Sequence, residues 1–288
     1  MQSNILQIIS ATARAQESKG ITGCIFGKSG IGKTSLLHTL PADKTLFFDL
    51  EAGDLAVKSW QGDAIRSRTW QECRDAAVLI SGPNPALRDD QAYSRAHYEV
   101  ACKRFGDSAA IAKYETIFID SITVAARLCF QWSKGQPQSF SDKSGKYDMR
   151  AAYGLHSQEM LAWLTHLQHA RTKNIWYVGI LDEKLDDLNR RIYASQLEGS
   201  KTALELPGIV DEVITMAEVR DAHNKPVRAF ICHTLNEYGY PAKDRSGRLN
   251  ALEEPHLDKL MRKIKAKPLT EQFTAADSAD SAVISTTQ

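Results

Sequence analysis

The stretch GKSGIGKT, Gly27 to Thr34, holds the residue types that grip a chain of phosphates. It fits the pattern G-x-x-x-x-G-K-[ST], in which consecutive backbone N–H groups point into one cavity. Gly27, Gly30 and Gly32 permit the backbone turns, while Lys28, Ser29, Ile31 and Ser35 complete the lining. Lys33 is placed to reach the β- and γ-phosphates, and the Thr34 hydroxyl to ligate Mg²⁺. Lys28 stands five residues before Lys33 and reads as a surface lysine near the phosphates, of smaller consequence than Lys33.

Two carboxylates are candidates to complete the chemistry. Asp120 closes the apolar run TIFID, where an acidic group can hold a Mg²⁺-bound water. The residue after it is Ser121, so a catalytic base must come from elsewhere. Glu51, in FFDLEAGD, falls just past a second apolar run and can orient and deprotonate an attacking water. Asp49 competes for that role.

These residues need a scaffold that brings them to one edge. ITGCIF (21–26) reads as a strand feeding the glycine loop, and TSLLHTL as a helix stopped by Pro41. KTLFFDLE (44–51) and ETIFIDS (115–121) read as further strands. Between them, residues 60–113 carry a helical pattern broken by SGPNP. The stretch 133–148 reads as a mobile polar loop, followed by a helix from Met149, a strand over 174–181 and a second polar stretch over 182–201. IVDEVITMAEV and VRAFICH read as two antiparallel strands across DAHNKP. Alternating strands and helices predict an α/β fold, with a mostly parallel central sheet flanked by helices on both faces. The boundaries expected are an amino-terminal arm over 1–19, a core over 20–264 and a disordered tail over 265–288.

The glycine loop, FFDLE, FIDSITVAA and the two polar stretches together resemble the RecA-like P-loop NTPase core. That resemblance implies Glu51 as base and Asp120 with Thr34 on Mg²⁺, with ATP as the nucleotide. AKDRSG (242–247), placed after the last strand, resembles the K-x-R-x-G element of RadA-, KaiC- and DnaB-type ATPases. Carried over, Lys243 and Arg245 reach a neighbouring subunit's γ-phosphate. Residues 20–260 are similar to phage-encoded RecA-like proteins of single-strand annealing recombination, which implies a homo-oligomeric ring or filament. It also implies single-stranded DNA as partner, with a single-strand DNA-binding protein as a candidate accessory.

RecA-like cores hold DNA on two loops, and the two polar stretches occupy those places. The first offers Lys134, Lys143, Lys146 and Arg150 with Phe140 and Tyr147; the second offers Lys184, Arg190, Arg191, Tyr193 and Lys201. Cations neutralise phosphates and aromatic rings stack on bases. Asp142, Asp148, Asp182, Glu183, Asp186 and Asp187 dilute that field. FTAA (273–276) fits the F-x-x-A docking pattern of archaeal and eukaryotic recombinases.

Lys28 and Lys33 have the spacing of the two lysines in MinD/ParA-type partition ATPases, but Ser29 stands where that family has glycine. A small-molecule kinase is a third reading, without an evident lid arginine cluster. The net charge of +1 over 288 residues predicts no global attraction to nucleic acid, so any DNA binding must be local. Five scattered cysteines without C-x-x-C spacing point to a reducing cytoplasm. No signal peptide or membrane span is read. His166 and His169 read as part of a surface helix rather than metal ligands.

Overall fold

Strands that are buried on both faces of a parallel sheet are apolar along their whole length rather than alternating. The chain obeys this rule at β1 (Thr22–Gly27), β2 (Thr45–Asp49) and β4 (Thr116–Asp120), each buried throughout. A computed structural model describes residues 8–17, 19–106, 108–185, 187–221 and 223–266. The remaining strands are β3 (Asp63–Arg66), β5 (Asn174–Leu185), β6 (Arg191–Ser195), β7 (Glu212–Arg220), β8 (Pro226–Ile231), β9 (Lys243–Asp244) and β10 (Leu252–Glu253).

The sheet order is β10-β8-β7-β1-β5-β4-β2-β3. The run from β7 to β3 is parallel, and β8 and β10 add antiparallel strands at one edge. This is the mostly parallel α/β core that the sequence predicts. Side chains alternate between its faces. Cys24, Phe26, Phe48, Ile119 and Tyr177 point to one layer, and Ile25, Phe47, Phe118 and Trp176 to the other. The first layer contains α2 (Trp70–Ser81), α3 (Arg95–Phe105), α4 (Ala109–Ala112), α5 (Ile122–Lys134), α6 (Met149–Gln168) and α7 (Ser200–Ile209). The second contains α8 (Leu257–Lys265), whose Leu257, Leu260, Met261 and Ile264 recur at helical spacing and are all buried. Each such side chain contributes on the order of 2 kcal/mol on burial, so four of them anchor a nine-residue helix that propensity alone would not hold. A short α1 (Ala11–Gln16) precedes β1.

Several elements differ from the sequence reading. Residues 34–39 form a 3₁₀ helix rather than an α-helix. Strand β3 was hidden inside a stretch read as helical, because it is a four-residue, largely exposed edge strand. Strand β5 does not stop at Leu181. It continues to Leu185 and pairs with β6 as an antiparallel hairpin, so most of the second polar stretch is regular structure, and α7 follows it. The first polar stretch also has built structure. A 3₁₀ turn over Pro137–Ser139 leads to a Phe140–Tyr147 bridge, and Ser141 N donates to Lys146 O at 2.8 Å. AKDRSG is not beyond the last strand: Lys243 and Asp244 are β9, and β10 comes later. His156 and His166 are buried on α6, and His166 stacks on Tyr93 with ring centroids 4.3 Å apart. Burial pushes the His166 imidazole down to about 4. The tail from 267 onward, with FTAA, lies outside the described residues.

Candidate functional site

Parallel strands deliver their carboxyl ends to a common edge, which is where open α/β sheets place ligand chemistry. Here β1 ends at Gly27, β2 at Asp49 and β4 at Asp120, and the register pairs Asp49 with Asp120 directly. Leu50 N donates to Asp120 O at 2.7 Å, which extends the pairing one residue and sets Glu51 beside the start of α5.

The phosphate loop has the shape its glycines imply. Gly30 and Gly32 adopt φ of +80° and +98°, a region that side chains other than glycine rarely occupy. A Cβ at Gly27 would lie 2.7 Å from Met216 O. Lys33 folds back over the loop, its Nζ donating to Gly27 O and Lys28 O, both at 3.0 Å. Burial lowers the pKa of this ammonium, with the nearby charges of Asp120 and Glu51 opposing the shift.

Thr34 Oγ1 donates to Asp120 Oδ2 at 2.5 Å, joining the end of the loop to the end of β4. Asp120 is buried, and burial pushes its carboxyl up to about 6; the Thr34 hydrogen bond lowers it and the charge of Glu51 raises it. Ser121 caps α5 by accepting from Val124 N, and its hydroxyl donates to Glu51 Oε1. Lys33, Thr34, Asp120 and Glu51 therefore share one edge. Asp49, the competing base, is buried, accepts from Gly53 N at 3.4 Å and lies 3.5 Å from Arg66 Nε. It is tied into the turn after β2.

The fit of a Mg²⁺ nucleotide rests on these groups. Among the described residues no cluster of three or more His, Cys, Asp or Glu is arranged to hold a metal. Thr34 and Asp120 supply a hydroxyl and one carboxylate, the sparse protein contribution that Mg²⁺ takes when phosphates and waters complete its octahedron. A buried carboxyl with a raised pKa is also a group that a cation would stabilise in its charged form.

Two contacts at the loop were not legible in the sequence. Lys28 forms an ion pair with Glu183 at 3.1 Å, and Arg191 Nε reaches the same carboxylate at 3.4 Å. Lys28 is thus a link between the loop and the β5–β6 hairpin, not a lone surface lysine. Its hydrogen bond to Glu183 raises its pKa. Arg228, on β8, donates from Nη1 to Ile31 O at 3.3 Å. The pattern of charge along VRAFICH gave no sign of this, because the contact spans 197 residues and depends on sheet order. A hollow of about 230 Å³ beside the loop is lined by Lys28, Ile31, Leu181, Met216, Glu218 and Tyr240.

The residues assigned to DNA lie at the same edge. Tyr153 Oη donates to Glu198 Oε1 at 2.8 Å and His156 Nε2 meets Glu198 O at 2.7 Å, so α6 begins beside the chain that leaves β6. Gly199, with φ +79°, permits this approach; a Cβ there would lie 2.8 Å from His156 Cδ2. Lys143, Lys146 and Arg150 are exposed on the first stretch, Arg190 and Arg191 on the hairpin, and Lys201 on the first turn of α7. Large apolar side chains are exposed among them, including Phe140, Tyr147, Met149, Leu185 and Leu188. Tyr193 differs, since its ring packs against Tyr240 at 4.5 Å and is half-buried.

Lys243 and Arg245 lie toward the opposite edge. β9 pairs with the first residues of β7, placing Lys243 level with Val213 and Cys24. Lys243 Nζ donates to Pro207 O at 2.5 Å and Val210 O at 2.8 Å, at the end of α7. Arg245 pairs with Asp211 at 2.9 Å, just before β7. The length of β1, about 20 Å at the usual strand rise, separates Arg245 from its own phosphate loop. Any action on a phosphate would be on another subunit's.

The model of the AAA_24 family, described as an AAA domain, matches residues 19–246. Solved structures similar to the chain include an ATPase from the type III secretion system of pathogenic bacteria, with 16% identity and a TM-score of 0.38. That likeness covers 69% of this chain and 52% of the other, so the chain spans about half the length of that protein. The RadB recombinase has 11% identity and a TM-score of 0.32, covering 79% and 91% of the two chains. The flagellar accessory protein FlaH from Methanocaldococcus jannaschii has 10% identity and a TM-score of 0.32, covering 74% and 77%. No curated protein matches the chain. No helix among the described residues is long and apolar enough to cross a membrane.

Proposed function

The chain belongs to the AAA_24 family of AAA domains and is a nucleotide-binding P-loop ATPase; we propose that it is a RecA-like recombination protein of the phage-encoded kind. In this reading it hydrolyses ATP with Mg²⁺, binds single-stranded DNA and promotes annealing or pairing of strands as a homo-oligomer.

The observation that carries the reading is the Thr34–Asp120 hydrogen bond with Lys33 and Glu51 on the same edge. On binding ATP, Lys33 exchanges the carbonyls of Gly27 and Lys28 for the β- and γ-phosphate oxygens. Thr34 would hold Mg²⁺ directly and Asp120 through a water; the ion, when bound, neutralises charge on the β- and γ-oxygens. Glu51 orients a water in line with the γ-phosphate and takes its proton as the new P–O bond forms and ADP leaves. The Ser121 hydroxyl fixes the Glu51 carboxylate for that task. Lys243 and Arg245 complete the site of a neighbouring subunit, whose approach is accommodated by a cleft of about 510 Å³ beside Arg245, Asp211 and Lys19.

The DNA part is supported by exposed Phe140 and Tyr147 with Lys143, Lys146 and Arg150 ahead of α6, which touches Glu198 just past a hairpin bearing Arg190 and Arg191. Rings and cations interleaved in this way suit a strand held by stacking and phosphate contacts. Lys28–Glu183–Arg191 ties that hairpin to the phosphate loop. The test is the ATPase rate with and without single-stranded DNA, read together with mass in solution. Stimulation accompanied by assembly is expected. A DNA-insensitive dimer would overturn the recombination reading in favour of a nucleotide switch.

A further inference from the structure

Arg228 is the arginine at the phosphate edge that the scheme above leaves without a task. It sits opposite Glu218 in the β7–β8 ladder, and β7 is the immediate neighbour of β1, so the hairpin stands next to the glycine loop. The guanidinium reaches back to that loop. Nη1 donates to Ile31 O at 3.3 Å, and a Cβ on Gly32 would lie only 2.5 Å from the same nitrogen. The arginine therefore rests on the bare Cα of Gly32, which must be glycine both for this contact and for its φ of +98°.

Its guanidinium meets no carboxylate at ion-pair distance among the described residues, although Glu218 lies across the ladder. Arg104, Arg191 and Arg245 end on the carboxylates of Asp75, Glu183 and Asp211. Arg228 forms no ion pair among the described residues and has a single long hydrogen bond to a carbonyl, although a guanidinium offers five donors. Lys33 likewise donates to neutral acceptors of the loop, Gly27 O and Lys28 O, with the charges of Asp120 and Glu51 nearby. Two cations thus flank one glycine loop, each resting on a neutral acceptor that an anion would outcompete. The planar fork of Arg228 matches two oxygens of a phosphate, where Lys33 supplies a point charge.

We propose that Arg228 is a second phosphate-binding cation of the nucleotide site, supplied by the same chain from the β7–β8 hairpin and engaging the di- or triphosphate of the bound nucleotide. The inference rests on the ATPase reading and assigns a residue to that site. It makes part of the positive charge around the phosphates independent of a neighbouring subunit.

The experiment titrates the full chain, with Mg²⁺, against fluorescent ADP and ATP analogues. The proteins are wild type, Lys33→Ala, Arg228→Ala, Arg228→Gln and Arg228→Lys, each checked for cooperative thermal unfolding. Arg228→Ala and Arg228→Gln are expected to weaken nucleotide binding about 10- to 100-fold, the range for one charge-assisted hydrogen bond. Arg228→Lys, which keeps the charge but not the fork, should lose only a few-fold. Glutamine can still donate to Ile31 O without a charge. Wild-type affinity in Arg228→Gln would make Arg228 a brace for the loop and overturn the proposal, as would wild-type affinity in Arg228→Ala. If wild type itself binds neither analogue and Lys33→Ala changes nothing, the ATPase reading fails first, and the role of Arg228 with it.

Discussion

Two pairs of cations sit toward opposite edges of one sheet, and both rest largely on main-chain carbonyls. Toward the amino-terminal edge, Lys243 closes the end of α7 through Pro207 O and Val210 O, and Arg245 is neutralised by Asp211. At the carboxyl-terminal edge, Lys33 and Arg228 hold loop carbonyls and neither ends on a carboxylate, although the charges of Asp120 and Glu51 lie near Lys33. The first pair is closed within the chain by Asp211 and the end of α7; the second has no carboxylate at ion-pair distance among the described residues. A cation that caps a helix in the free subunit can still serve a neighbour, but it must give up a local contact to do so. Lys33 also gives up its two carbonyls, but for a ligand bound to its own loop.

The largest expected effect belongs to Lys33. Lys33→Ala should lower ATP turnover on the order of 10³-fold, about 4 kcal/mol, measured by phosphate release. Turnover at the wild-type rate would remove the site from the carboxyl-terminal edge altogether. Next come the two residues assigned to hydrolysis from different subunits. Glu51→Gln and Lys243→Ala should each cut turnover about 10²-fold or more, and mixing the two proteins should restore part of it. Mixed protomers with no gain at any ratio would confine Lys243 to its local role at α7.

Asp120 sharpens the contrast through stability. Its folded pKa is raised, so the stabilisation it contributes is fully present below its unfolded value near 4 and is lost as pH rises through about 6. Above that range ionised Asp120 costs the free protein on the order of 3 kcal/mol. Asp120→Asn should therefore melt higher than wild type at pH 8, lose the advantage toward pH 4, and forfeit Mg²⁺-dependent turnover. Equal melting at both values would mean that the carboxylate is satisfied as it stands. The smallest effect belongs to Lys243→Ala in the absence of nucleotide. Losing the contacts at the end of α7 should cost about 1 kcal/mol of stability, whereas Lys33→Ala, which removes a partly buried ammonium, should not destabilise. The reverse order in chemical denaturation would erase the distinction between the two edges.

The sequence made the phosphate loop and its two carboxylates legible because each is a local signal. Gly27 to Thr34 is one continuous pattern, and Asp49, Glu51 and Asp120 terminate apolar runs whose parallel pairing brings them together. Arg228 was illegible because nothing in its own segment marks it; only the adjacency of β7 to β1 carries it to Ile31. The β5–β6 hairpin is not legible because the apolar run ends at Leu181, although the backbone ladder continues to Leu185 through alternating Asp182, Glu183 and Lys184. Strand β3 failed for the same reason, as Asp63–Arg66 shows no buried run. The burial of His166 is not legible because its partner, Tyr93, comes from the segment before α3 and not from its own helix.

Strand β5 is continuous from Asn174 in the core to Leu185 in the hairpin. Moving it by one residue would turn Trp176 and Tyr177 onto each other's faces, so the core fixes the phase of everything farther along the strand. A single-residue insertion or deletion anywhere between Asn174 and Leu181 would therefore also unseat Glu183 from Lys28. Changes in length between Leu185 and Arg191 would leave both in place. Sequence drift in chain length is thereby channelled into the tip of the hairpin, where the surface can be refitted to new partners without disturbing the nucleotide edge.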